Sequence, residues 1–81
     1  MSQNDLQKAL LYFEDLLSNH SDYIGTYYHA GKLYERLDRK SEAILVYQKG
    51  MGIARKAGDN HAYSELQTVF NSASGLDYED D

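Results

Sequence analysis

His61 and Glu65 stand four positions apart, the separation at which two side chains on one helix can reach the same metal ion. No third ligand joins them. Neither His20 nor His29 falls at a spacing that completes the set, and the pair reads as two polar neighbours on a solvated face. Serine and histidine are both present, but no Gly-x-Ser-x-Gly elbow holds a nucleophile, and the absence of cysteine removes thiolate chemistry and disulfides together. No residue set therefore nominates a reaction, a cofactor or a metal, and a non-enzymatic protein is expected. The remaining chemistry is recognition. Lys32 and Arg36 are one turn apart, Arg39 and Lys40 follow closely, and Glu35 interrupts them. Charges at such spacing are most simply a solvated face, with Glu35 and Arg39 also one turn apart. An aromatic ring beside them adds a second use, because Tyr with Lys and Arg can hold an acidic or aromatic peptide by stacking and charge-assisted hydrogen bonds.

The elements that must position these groups are helices. No segment alternates with period two, and no proline interrupts the 81 residues. A first helix is predicted over about 5–19, capped by Asn4, with Leu6, Ala9, Leu10, Phe13, Leu16 and Leu17 in one apolar stripe. A second, over about 23–37, carries Ile24, Tyr27, Ala30, Gly31, Tyr34 and Leu37 at the same spacing. Gly31 inside it costs about 1 kcal/mol against alanine, which implies close approach of a neighbouring helix. Asp38 is expected to cap a third helix ending near Lys56, with Ala43, Ile44, Tyr47, Gly50, Met51 and Ala54 inward and Gly58 as its stop. Asp59 or Asn60 then caps a fourth, whose apolar set is Ala62, Leu66, Val69, Phe70 and Ala73. The fold class is all-α, with one helical domain over 1–74 and a segment without fixed structure over 75–81.

A shift of 34 residues lays the first helix on the third. Asn4 falls on Asp38, Ala9 on Ala43, Leu10 on Ile44, Phe13 on Tyr47 and Leu17 on Met51, so cap, small residue, aromatic and long aliphatic recur in register. With Tyr27-x-x-Ala30-Gly31-x-x-Tyr34, then Ala43-x-x-x-Tyr47, then Gly50, the chain resembles the tetratricopeptide repeat (TPR) family. The matched unit is 24–57, preceded by half a repeat, so the resemblance spans 4–57, about two-thirds of the chain. It implies antiparallel helix hairpins, about four helices in a short right-handed solenoid, closed by a capping helix. Small residues at Gly31, Ala43 and Gly50 would let helices approach while Tyr27, Tyr34 and Tyr47 fill the gaps. The sequence departs from the family at Tyr27 (usually Trp), at Ala30 (usually Leu) and at Arg55, where proline commonly ends the helix. The fourth helix does not restart the signature, since Glu65 falls under Gly31.

The resemblance also implies a function: protein–protein interaction, with the first helix of a hairpin lining the concave face. The groove-facing positions would be Gly25, Tyr28, Lys32, Glu35 and Arg36, and Tyr28 lies off the apolar stripe. Partner binding is accordingly placed on Tyr28, Lys32, Glu35 and Arg36. Members that grip a C-terminal carboxylate use Lys and Asn on several such helices. Here His29 and Lys32 stand near those places without an Asn, and that mode is not supported.

Shortness suggests a second function. A solenoid unit cannot bury its face alone, so the stripe of Leu6, Leu10, Phe13 and Leu17 is expected to self-associate, making a homodimer that completes the solenoid in trans. A structural homo-oligomerisation module is therefore the alternative to a peptide-binding scaffold, and the same shortness fits part of a longer repeat protein. The formal charge of -5 is uneven: residues 1–74 hold nine acids and eight bases, while Asp77, Glu79, Asp80 and Asp81 supply the rest. A near-neutral body with an acidic end argues against nucleic acid as a partner. The apolar stretch at 9–17 is too short and too charged for a signal peptide or membrane span, which makes the cytoplasm the default expectation. The acidic end could dock on the Lys32, Arg36, Arg39 and Lys40 face.

Overall fold

A computed structural model describes residues 3–19 and 23–75. The chain forms α1 (Gln3–Asn19), α2 (Ile24–Arg36), α3 (Lys40–Ala57) and α4 (Asn60–Ser74), with no strand among the described residues. The all-α expectation and its four helices hold. The acidic residues 76–81 and the turn at 20–22 lie outside the described residues.

Helix ends show where local reading failed. The first helix already includes Gln3, so Asn4 sits within its first turn rather than ahead of it as the cap. Asp38 does not cap α3 either. It stands in the left-handed region with φ 62°, two residues past the end of α2. There the Arg39 N–H donates to the Tyr34 carbonyl at 2.8 Å and the Asp38 N–H to that of Glu35 at 3.0 Å. This doubly bonded turn normally takes glycine, and Asp is among the few other residues that tolerate it. Arg39 precedes α3 and makes no side-chain cap bond. The next turn repeats the geometry with the usual residue: Gly58 has φ 73°, and the Asp59 N–H reaches the Ala54 carbonyl at 2.9 Å. Asp59 then caps α4, its Oδ1 accepting from the Ala62 N–H at 3.0 Å. Such a cap contributes about 1 kcal/mol.

The core forms where the small residues predicted close approach. A Cβ built on Gly31 would overlap the Tyr47 ring, and one on Gly50 would lie 2.6 Å from the Tyr27 Cβ and 3.1 Å from Leu66 Cδ1. Tyr27, Tyr47 and Leu66 are the largest fully buried side chains, and Ala30, Ala43 and Ala54 are wholly buried beside them. Burial of Leu66 alone stabilises the fold by roughly 2–3 kcal/mol. These contacts also fix direction. Moving along α3 from Tyr47 to Gly50 moves back along α2 from Gly31 to Tyr27, so the pair is antiparallel. Gly50 meets Leu66 while Arg55 meets Tyr63, so α3 and α4 are antiparallel too. Consequently α2 and α4 run parallel. The result is a slab 35 by 34 by 17 Å, thin because it is two helices deep.

The first helix is held on one side only. Leu6 and Leu10 are buried against the rest of the core, and Phe13 and Leu17 are half-buried against it. Its outward face leaves Leu11 67% and Tyr12 63% exposed. The 34-residue repeat governs this face as well: Leu45, equivalent to Leu11, is 63% exposed on α3.

Candidate protein-interaction surface

The four residues expected to bind a partner all lie on α2, whose other face is consumed by Tyr27, Ala30, Gly31 and Tyr34. Packing and electrostatics treat the four differently. Lys32 and Arg36 are exposed, and neither has an ion pair among the described residues. Glu35 is half-buried and accepts a 2.5 Å hydrogen bond from the Tyr47 hydroxyl. Burial, then the bond to Glu35, drives the Tyr47 hydroxyl well above its ordinary pKa. Glu35 is thereby tied to the most tightly packed ring of the core. Tyr28 is half-buried rather than projecting freely, and its ring meets His29 edge-on with centroids 5.6 Å apart. Gly25 at the head of the helix has open space where a side chain would be.

A groove of about 240 Å³ runs between α1 and α2, lined by Leu6, Ala9, Phe13, His29, Lys32, Leu33 and Arg36. Its floor is apolar. Phe13 stacks on His29 with centroids 6.4 Å apart and planes 20° from parallel, closing one end. Lys32 and Arg36 form its cationic rim. Ala9, Phe13 and His29 were not assigned to partner binding from the sequence. Their joint role depends on the angle at which α1 crosses α2, which periodicity does not carry.

The basic run that looked continuous in sequence is divided in space. Arg39 turns the other way, gripping Glu42 through two hydrogen bonds of 2.5 and 2.6 Å and lying 5.0 Å above the Tyr34 ring. That grip holds the Glu42 carboxyl below its ordinary range. It also removes the Glu35–Arg39 pair suggested by one-turn spacing. On the same side the Tyr34 hydroxyl donates to Glu14 at 2.8 Å, and burial followed by that bond pushes Tyr34 up to about 12. Arg39 therefore belongs to a structural cluster with Tyr34, Glu14 and Glu42, leaving Lys32 and Arg36 as the groove's cations. His61 and Glu65 do approach, at 3.3 Å, but both are well exposed, and no group of three metal-ligating side chains occurs among the described residues.

Of the residues assigned to self-association, Leu6 and Leu10 are spent inside the chain, and Phe13 contributes to the groove. Leu17 is half-buried. The apolar surface that α1 leaves open is instead Leu11 and Tyr12.

This architecture has counterparts among solved structures. A solution NMR structure of a tetratricopeptide repeat domain protein from Salinibacter ruber matches with TM-score 0.85 and 45% identity, over 95% of this chain and 78% of that one. A crystal structure of a tetratricopeptide repeat domain protein from Salinibacter ruber matches with TM-score 0.83 and 48% identity, over 90% of this chain and 82% of that one. The chain belongs to the tetratricopeptide repeat family. No family profile and no curated protein matches it. The TPR signature residues Tyr27, Ala30, Gly31, Tyr34, Ala43, Tyr47 and Gly50 are all buried, which is what a packing signature requires. As a TPR domain the chain is a helical scaffold for protein interaction. No helix is long and apolar enough to cross a membrane among the described residues.

Proposed function

We propose that this TPR domain binds an extended acidic segment of a partner protein, with Lys32 and Arg36 as its charge contacts and Tyr28 as an adjoining aromatic surface. The observation that carries this reading is the pair of exposed cations without acidic partners above an apolar groove floor. An acidic chain laid there exchanges hydration for charge-assisted bonds, while an apolar residue enters between Leu6, Phe13 and Leu33. Glu35 serves the site from behind, holding α2 against Tyr47 rather than touching the partner. Selection from a displayed random-peptide library against the full chain tests this. Enriched sequences should combine acids with an aromatic or aliphatic residue. The Lys32→Ala/Arg36→Ala variant should keep its helical circular dichroism and lose them. Enrichment of basic sequences would overturn the reading.

A second reading is favoured by Leu11 and Tyr12, adjacent and both mostly exposed on a helix covered on one side. A homodimer through that face would cover them. Sedimentation equilibrium on the wild type and on Leu11→Asp/Tyr12→Asp tests it: a dimer in the first and a monomer in the second support it, and two monomers end it.

A further inference from the structure

The groove between α1 and α2 has a ready occupant in the same chain. Residues 76–81, Leu-Asp-Tyr-Glu-Asp-Asp, combine one aliphatic and one aromatic residue with four acids, the composition that an apolar floor with a cationic rim selects. The body of the protein is close to neutral, so these acids meet unpaired positive charge chiefly where unpartnered cations cluster. Arg39 is engaged with Glu42. Of the cations without an acidic partner among the described residues, Lys32 and Arg36, one turn apart, are the two that line the groove.

Topology brings the end of α4 toward this place. Leu66 and Tyr27 sit at the same height, since both meet Gly50. Because α2 and α4 run parallel, Ser74 at the end of α4 lies near the height of Glu35 and Arg36 along α2. Gly75, with φ 82°, stops α4 and turns the chain away from its axis. Neighbouring helix axes lie about 8–10 Å apart. Six extended residues span about 20 Å, enough to cross α2 and continue along the groove past Arg36 to Lys32. We infer that residues 76–81 fold back in cis across α2 and occupy the α1–α2 groove, with the acids on Arg36 and Lys32 and Tyr78 over the floor of Leu6, Phe13 and Leu33. The segment then competes with any acidic partner for the same cations, making the interaction surface self-masking. This deepens the function proposed above, since it rests on the same two cations being ligand-facing.

The chain has no cysteine, so Asp81→Cys gives the full-length protein one site for a nitroxide spin label. Relaxation enhancement of backbone amides then maps where the segment's end resides. Phe13 and His29, at the far end of the groove, should broaden more strongly than Met51 and Tyr63, which line a separate hollow between α3 and α4. The effect should vanish at about 1 M salt, where the screening length falls to about 3 Å. Adding Lys32→Glu/Arg36→Glu should lower the docked-to-free ratio roughly tenfold. Equal broadening in the groove and in the α3–α4 hollow, or groove broadening that survives the charge reversal, overturns the inference. Mixing spin-labelled chains with isotope-labelled unmodified chains separates the remaining case: broadening seen only between chains would assign the occupant to a second copy and overturn docking in cis. The measurement requires no partner, so it can fail while the peptide selection succeeds, and the reverse.

Discussion

Helix α2 meets its neighbours along two seams built on opposite plans. Toward α3 and α4, glycine faces a ring: Gly31 lies under Tyr47, and Gly50 lies against Tyr27 and Leu66, with no space for another carbon. Toward α1, the seam closes on Leu6 and Leu10 and then opens into the groove rimmed by Lys32 and Arg36. The first seam spends its side chains on cohesion. The second leaves cations and an apolar floor uncovered, and the proposed interaction surface uses them. Rigidity on one side of the helix supports a surface on the other, with Glu35 as the link through its bond to Tyr47.

Substitutions can break this contrast. The largest effect is expected from Gly31→Leu, which forces Tyr47 out of its site and should cost about 3 kcal/mol or more, read as a loss of midpoint in urea unfolding. Phe13→Ala in the open seam should cost about half as much, because its ring is already partly solvated, while binding of acidic peptides weakens. A Phe13→Ala penalty equal to that of Gly31→Leu would dissolve the distinction between the seams. Tyr47→Phe keeps the packing and removes only the donor to Glu35, for an expected loss of about 1–2 kcal/mol. Replacing Asp38 by glycine relieves the left-handed strain at the α2–α3 turn and should raise stability by roughly 0.5–1 kcal/mol. That corresponds to a thermal midpoint higher by a few degrees.

Alkaline titration sharpens the comparison further. Tyr34 holds its proton to about 12 in the fold, against 10.0 ordinarily. The folded value is the higher one, so this contribution is complete below pH 10 and is lost as pH rises from 10 through 12. Tyr47 acts in the same direction. Helical circular dichroism should therefore fall across that window, and Tyr34→Phe should move its onset upward. An onset unchanged in this variant would show that the Tyr34–Glu14 bond does not govern it. Amide exchange should complete the contrast, with α1 exchanging faster than α3 because it has one neighbour to α3's two.

The periodicity of apolar residues was enough to read four helices, and the small residues at Gly31 and Gly50 were enough to read which faces approach. Cap chemistry misled at Asn4 and Asp38, because Asn and Asp serve equally within a first turn, at a cap or in the left-handed turn after a helix. The α4 cap was readable to within Asp59 or Asn60 because Gly58 fixed the preceding helix end, and the structure assigns it to Asp59. The basic run was misread as one face because one-turn spacing holds only while the helix continues, and α2 ends at Arg36.

Local sequence thus determined the helical class, the repeat register and the buried signature, all of which follow from the 3.6-residue period and side-chain size. Tertiary structure alone decided which polar groups pair between helices. Tyr34 with Glu14 and Tyr47 with Glu35 are joined across 20 and 12 residues of chain, and no local spacing encodes them. It likewise decided that Arg39 is drawn away to Glu42 while Lys32 and Arg36 line the groove. The physical reason is the same in both cases: helix phase is a property of one segment, whereas pairing depends on the crossing of two.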